Sequence, residues 1–202
     1  MLETTKSELT RFGWLGGSSH LYDLELMQNG ISSIHNSHKG KVQFVLCGFD
    51  LRGTVRELVK DTGEVKERQI KPTETVWYQY EKIFTDNYKV VDKDYLTYLE
   101  MYTNAPINDS IAPYVRRWTE KIDTYANNYN YFDVSLAPIK NHIFNRVKSQ
   151  LKVIEAGFYK KALIASNLGP YTIDLKHSLQ HGNFVDGNAL LVDESRNHSD
   201  WF

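Results

Sequence analysis

Apolar residues along this chain fall into short continuous runs and into stretches at helical spacing, and the two kinds of pattern alternate. The run Arg11-Phe12-Gly13-Trp14-Leu15 predicts a short strand. It stops at Gly16-Gly17-Ser18-Ser19, a glycine turn ending in residues that favour helix N-caps. A helix is expected next: Leu24, Met27, Ile31 and Ile34 recur at intervals of 3, 4 and 3, and Asp23 and Glu25 occupy the first turn, where the helix dipole favours acids. Gly30 is its weak point. Val42-Gln43-Phe44-Val45-Leu46 reads as a second strand, ended by Cys47-Gly48-Phe49-Asp50. Residues 11–50 therefore predict a β-α-β unit whose strands are buried on both faces.

Residues 51–72 break the rhythm. The runs 55–60 and 64–70 flank Asp61-Thr62-Gly63, which predicts a β-hairpin with glycine supplying a positive φ. Thr73, after Pro72, is placed to cap a helix in which Val76, Trp77, Tyr80, Ile83 and Phe84 share one face. A strand-like run at 88–91, a short helix at 94–101 and a loop at 104–113 follow. Residues 115–118 predict a strand; Ile122, Tyr125, Ala126 and Tyr129 predict a helix; and 132–137 predict a strand stopped by Pro138. Val147, Leu151, Ile154 and Phe158, spaced 4, 3 and 4, predict one apolar helix face. Beyond it lie a buried strand at 162–165, a turn at Asn167-Leu168-Gly169-Pro170, a second turn at Asp186-Gly187-Asn188 and a strand at 189–192. At the end, Asn197 or Ser199 reads as the cap of a helix that the sequence does not continue, as in a cut piece. The fold class expected is α/β: a Rossmann-like parallel sheet flanked by helices, with an inserted hairpin and helical segment. Residues 1–10 are expected to be disordered or a linker, and 11–202 a single domain with 51–72 as the hairpin insertion.

The length of 202 residues suits one large domain. With 24 Lys+Arg against 25 Asp+Glu, the net charge of -1 lacks the basic footprint of a nucleic-acid binder. Apolar residues at 41% suffice for a real core, and no apolar run approaches the roughly 20 residues that a bilayer helix needs. The single cysteine, Cys47, forms no internal disulfide and builds no cysteine-based zinc site. The opening MLETTKSELT lacks a signal-peptide pattern, so the expected compartment is a reducing cytoplasm.

Three groups of residues carry candidate chemistry. At Gly16 and Gly17 the missing Cβ lets a phosphate approach backbone N–H groups at a helix start, although the same turn also serves purely steric ends. Lys148, Lys152 and Glu155 fall on one helical stripe beside the apolar face. There Lys148 is placed to neutralise phosphate oxygens and Glu155 to accept a pair of ribose hydroxyls; the plain alternative is a surface Lys152–Glu155 pair and a solvated Lys148. His20 either contacts a ligand phosphate or helps to close the turn. Among the 7 histidines, His35-Asn36-Ser37-His38 is the nearest to a metal pair, but it has no third ligand at a suitable spacing and reads as a solvated loop. No GxSxG elbow supports a serine hydrolase. Trp77, Tyr78, Tyr80 and Tyr88 offer rings for sugar stacking, while their spacing makes most of them core.

The runs FGWLGGSSHLYDLEL at 12–26, VQFVLCGFD at 42–50, YFDVSLAPI at 131–139, FNRVKSQLKVIEAGFYKKALIAS at 144–166 and GNALLV at 187–192 resemble, in order and spacing, the C-terminal domain of a GT-B fold glycosyltransferase. More narrowly, they resemble bacterial retaining enzymes of the group 1 type used in polysaccharide biosynthesis. The stretch from 133 to 166 is the most specific, and 51–130 lies outside the resemblance.

The resemblance implies a domain that binds a nucleotide-diphosphate sugar. The position matching Glu155 takes the ribose hydroxyls, that matching Lys148 meets the donor phosphates, and Gly16 and Gly17 lie against the diphosphate. Such enzymes often carry two glutamates with seven residues between them; the first place is Val147 here, and Asn145 or Arg146 stands in for the donor-sugar contact. The resemblance also implies retention at the anomeric carbon, no metal or other cofactor, and an acceptor for glycan or lipid-linked substrates on a second domain that this sequence does not include. It leaves room for peripheral membrane association of the full-length enzyme. The chain alone is expected to bind nucleotide and to transfer little or nothing. For reading the base, the sequence offers only the Cys47-Gly48-Phe49 turn and the neighbourhood of Arg116 and Arg117. The alternative is a non-catalytic α/β module for a phosphorylated ligand or a protein partner. The two readings part on whether Glu155 and Lys148 share a crevice with Gly16 and Gly17.

Overall fold

The computed structural model describes residues 8–50, 53–84, 114–193 and 200–201. Six strands form one sheet: β1 (Thr10–Leu15), β2 (Val42–Phe49), β5 (Tyr114–Trp118), β6 (Val134–Ala137), β7 (Ala162–Ser166) and β10 (Leu190–Val192). Between them come two small antiparallel hairpins, β3 (Thr54–Leu58) with β4 (Val65–Gln69) and β8 (Leu179–Gln180) with β9 (Asn183–Phe184). The sheet order is β10-β7-β6-β1-β2-β5, and every neighbouring pair is parallel. The chain thus builds outward from β1 to β2 and β5, then returns to the other side of β1 for β6, β7 and β10. This is the doubly wound α/β arrangement, with the strand order reversing between β1 and β6.

Strand alternation feeds two cores. In β2, Phe44 and Leu46 join Trp14, Leu24, Tyr80 and Phe84 on one face, while Val45 and Cys47 join Leu15, Val115, Phe132 and Ala156 on the other. Double-sided burial explains why these strands read as continuous apolar runs. Buried Gln43 accepts a hydrogen bond from Arg11 Nε at 3.1 Å, so the one polar residue inside β2 is satisfied.

The helix expected after the glycine turn is divided. It comprises α1 (Leu21–Leu24), a 3-10 turn (Glu25–Met27) and α2 (Gly30–Ser37), because Asn29 takes a φ of 67°. Gly30 begins α2 instead of weakening a longer helix. His35, expected in a solvated loop, is buried in α2 with its ring edge-on to Phe44 at 5.0 Å. The β3–β4 hairpin forms as expected, with Gly63 at φ +69°. Its poor alternation has a physical cause: it stands clear of the core and carries ion pairs, such as Arg68 with Glu57 and Glu74, across its exposed faces. Helix α3 (Val76–Phe84) is capped by Thr75, whose hydroxyl accepts from Tyr78 N at 3.3 Å; the Thr73 position falls inside a preceding 3-10 turn, Pro72–Glu74. The helix expected over Ile122 to Tyr129 is instead a 3-10 stretch, Tyr125–Tyr131, and Ile122 is exposed.

The largest correction concerns Val147 to Phe158. Here α4 (Ile143–Arg146) ends just before Val147, and only α5 (Leu151–Phe158) lies within the stretch. Val147, Leu151, Ile154 and Phe158, the predicted inward face, are 50% to 80% exposed, while Glu155 and Ala156 point into the fold. The strand at 88–91, the helix at 94–101, the loop at 104–113 and the caps at Asn197 and Ser199 lie outside the described residues.

Candidate functional site

Open α/β sheets bind ligands outside the carboxyl ends of their strands, at the point where the order reverses. Here that point is flanked by the glycine turn after β1 and the loop leading from β6 into α4. The two glycines of the turn have different duties. A Cβ on Gly16 would lie 2.4 Å from the Trp14 ring, so Gly16 is required by packing. Gly17 faces open space, with nothing within 4 Å of a built Cβ. Gly48, at φ +95°, brings the end of β2 against the turn: a Cβ there would sit 2.3 Å from the Gly16 carbonyl oxygen. Only glycine tolerates both the conformation and the contact.

Tyr80, fully buried on α3, holds the turn. Its hydroxyl donates to the Gly17 carbonyl at 3.0 Å and accepts from His20 N at 2.7 Å. Burial pushes the Tyr80 phenol up to about 12, which keeps it protonated and able to donate. A crevice of about 430 Å³ opens beside the turn, with Gly17, Ser18, Asp50, Thr75 and Thr119 in its walls.

Neither Lys148 nor Glu155 is among the residues that line this crevice with Gly16 and Gly17; Lys148 lies in the turn between α4 and α5, off the helical stripe that the sequence predicts. Its ammonium is 3.5 Å from Asp23 Oδ2, and the same oxygen is 3.1 Å from His20 Nδ1. Asp23 Oδ1 accepts from Asn145 Nδ2 at 2.7 Å and from Lys140 N at 2.9 Å. Asn145 is buried and also donates to the Lys140 carbonyl, whereas Arg146 is exposed and donates to Asn141 Oδ1 at 2.7 Å.

Lys152 and Glu155 are not a surface pair. Lys152 Nζ donates to the carbonyl of Leu15, the residue before Gly16, and lies 3.9 Å from Glu155 Oε2. Burial pushes the Lys152 ammonium below its ordinary range. Buried Glu155 accepts from the Tyr125 hydroxyl on Oε1 and from Tyr129 Oη on Oε2 at 2.8 Å. A continuous set of contacts therefore joins Glu155 through Lys152 to the glycine turn, and joins Lys148 through Asp23 to His20.

Other expected places are filled. Cys47, Phe49 and Arg116 are core side chains, with Arg116 paired to Glu81 at 2.8 Å, so none of the three side chains is accessible to a base. Burial raises the Cys47 thiol to about 12. Arg117 stacks over the Tyr131 ring at 4.2 Å. Trp77, Tyr78 and Tyr80 are buried and offer no stacking platform; Tyr88 lies outside the described residues. Among the described residues, no three His, Cys, Asp or Glu side chains come together as a metal site, and no helix is long and apolar enough to cross a membrane. Sequence reasoning missed Asp23, Tyr80, Tyr125 and Tyr129 as parts of this site. Apart from His20, three residues before Asp23, the partners named come from 26 to 122 residues away along the chain, and only the acid in a first helical turn was visible.

No protein-family model matches this chain, and no curated protein matches it. Solved structures do. An OtsA in its apo form is 10% identical with a TM-score of 0.53, over 99% of this chain and 36% of its own. An alpha,alpha-trehalose-phosphate synthase (UDP-forming) from Burkholderia vietnamiensis is 10% identical at TM-score 0.49, over 96% of this chain and 33% of its own. HepE from Anabaena, in complex with UDP and glucose, is 9% identical at TM-score 0.45, over 92% and 35%. The chain thus spans about a third of the length of the structures it matches. At such identity the likeness is one of fold, and that fold is the one found in GT-B glycosyltransferases.

Proposed function

We propose that this chain is the donor-binding domain of a retaining GT-B glycosyltransferase, with the nucleotide diphosphate of a sugar donor lying outside the carboxyl ends of β1 and β6. The observation that carries the reading is the convergence of segments far apart in sequence. The Lys152–Glu155 pair reaches the residue before the glycine turn that is open at Gly17, and Lys148 is tied through Asp23 to His20 just after that turn, at the end where a doubly wound sheet binds its ligand. In this reading the backbone at Gly17 admits the diphosphate and Lys148 offsets its charge. Glu155 takes the ribose hydroxyls. Asn145 shapes the loop beside the donor sugar, and exposed Arg146 supplies the contact that Val147 lacks. Groups fixed before the reaction stabilise a leaving diphosphate without reorganising, which is what this domain contributes to transfer. The acceptor binds on a second domain. No cofactor beyond the sugar nucleotide is invoked.

A second reading is favoured by Val147, an exposed apolar residue where a donor-sugar carboxylate is expected: a module that binds a phosphorylated ligand or a protein partner without transferring anything. Calorimetric titration with UDP, GDP and their sugar conjugates tests both. The donor reading expects one base to bind, with Lys148→Ala and Glu155→Ala each weakening it about tenfold, the equivalent of about 1.4 kcal/mol for a charged contact. A folded chain that binds no nucleotide at millimolar concentration sinks the donor reading. Sugar conjugates that bind no better than the bare diphosphates favour the second.

A further inference from the structure

A carboxylate taken out of water is costly unless its oxygens are hydrogen-bonded, and Asp23, at 4% exposure, is supplied on both. Oδ1 accepts from the Lys140 amide and from Asn145 Nδ2, at 2.9 Å and 2.7 Å; Oδ2 faces His20 Nδ1 at 3.1 Å and Lys148 Nζ at 3.5 Å. Burial alone would raise its pKa, but His20, the Lys140 amide, Lys148 and Asn145 together outweigh burial and hold it below the ordinary carboxylate range.

Two features set Asp23 apart from an ordinary structural acid. It joins the segment after β1 to the segment after β6, across 117 and 122 residues of chain, at the point where the strand order reverses. Two of its partners also remain accessible: the side chains of His20 and Lys148 keep 27% and 24% exposure, so what Asp23 grips on its inner side it presents on the outer. Because a carboxylate only accepts, its bond to His20 fixes a proton on Nδ1 and leaves Nε2 for another partner.

We propose that Asp23 is the positioning residue of the anion site: it latches the segment after β1 to the segment after β6 and aims His20 and Lys148 at the diphosphate without touching the ligand itself. This rests on the donor-site reading. It adds a residue whose loss disarms Lys148 while leaving Lys148 in place.

The test is titration of the chain with UDP and GDP for Asp23→Asn, Lys148→Ala and the double variant, with circular dichroism to verify the fold. Asp23→Asn keeps the shape and removes the charge. It is expected to weaken binding about tenfold, and the double variant to bind within about twofold of the weaker single one, because both act through the same ammonium. Asp23→Asn combined with Glu155→Ala is expected to multiply instead. Unchanged affinity in Asp23→Asn beside a weakened Lys148→Ala leaves the site standing and overturns the positioning role, as does a double variant in which the two losses multiply. Unchanged affinity in Lys148→Ala, or a folded chain that binds neither diphosphate, overturns the donor site and the positioning role together. Should Asp23→Asn fail to fold, Asp23→Glu, which keeps the charge and displaces it by one methylene, carries the same expectations.

Discussion

A carboxylate that takes a pair of ribose hydroxyls must first be vacated, and Glu155 is occupied. Tyr125 donates to one of its oxygens and Tyr129 to the other. The two tyrosines differ in their surroundings: Tyr129 is fully buried and stacked on Tyr159 at 5.3 Å, whereas Tyr125 lies partly exposed at the start of a 3-10 stretch. Tyr125 is the one free to yield. Its hydrogen bond to Glu155 raises the phenol to about 12, so at neutral pH it remains a donor, and under the proposed donor reading it competes with the ribose. Tyr125→Phe is therefore expected to tighten nucleoside diphosphate binding by up to about tenfold, since a hydrogen bond to a charged group is worth about 1.5–3 kcal/mol. Tyr129→Phe strands a buried carboxylate oxygen and is expected to cost about 1–3 kcal/mol of stability in denaturant titration. Equal affinity in Tyr125→Phe and the unmodified chain would show that Tyr125 does not compete. At this scale the sequence was half legible. Spacing linked Lys152 and Glu155, and the glycine pair drew attention for its chemistry. Asp23, Tyr80 and Tyr125 act only through partners that folding brings to them, and no local pattern announces such contacts.

Among the elements, α5 turns over the usual logic of amphipathic helices. Its apolar stripe satisfies the helical period, and periodicity alone places that stripe inward. The structure places Lys152, Glu155 and Ala156 toward the fold instead. Three local facts decide it. The Lys152 ammonium reaches the Leu15 carbonyl, Glu155 is held by two tyrosines, and the small Ala156 lets the helix sit close on the core shared by Val45, Val115 and Phe132. Where a polar face is gripped by specific partners, the burial rule yields, and a sequence pattern records the period without recording the direction. The consequence is measurable by urea denaturation. Ile154→Gln is expected to change stability by no more than about 0.5 kcal/mol, as at an exposed position, where an inward isoleucine would lose about 2–5 kcal/mol on truncation. Ala156→Leu, small to large inside a packed core, is expected to cost about 1–3 kcal/mol. A large loss in Ile154→Gln together with a mild effect in Ala156→Leu would turn the helix back to the face its periodicity predicts. The shorter helices fared better in sequence, since Leu24, Met27 and Ile31 are buried as their spacing requires even though Asn29 divides the helix.

At the scale of the whole molecule, the alternation of apolar runs and helical spacings made the α/β class legible, because doubly buried strands have no polar face to confuse with anything else. Strand order was not legible from spacing: nothing in residues 132–137 states that this strand returns to pair with β1. Nor was the anchoring of α3 against the sheet edge at β5, which rests on a buried ion pair. Arg116, in β5 and 1% exposed, meets Glu81 of α3 at 2.8 Å, and Tyr114 Oη donates to the same Glu81 oxygen at 3.1 Å. The guanidinium also lies 4.8 Å from the Phe49 ring centroid, so it bridges helix and sheet through charge and through an aromatic face. In sequence Arg116 is one cation of an Arg-Arg pair beside a tryptophan and reads as a candidate for recognising a base; in the fold it is a structural pin. Breaking such a pair leaves one charge buried without its partner, at a cost of about 3–5 kcal/mol, whereas removing both charges is often close to neutral. Arg116→Met is therefore expected to lower unfolding stability by about 3–5 kcal/mol. Arg116→Met with Glu81→Gln, which keeps an acceptor for Tyr114, is expected to recover most of the loss. Full stability in Arg116→Met, joined to weakened nucleotide binding, would return Arg116 to the ligand. Lost stability with recovery in the double variant fixes it as the residue that holds α3 to the edge of the sheet.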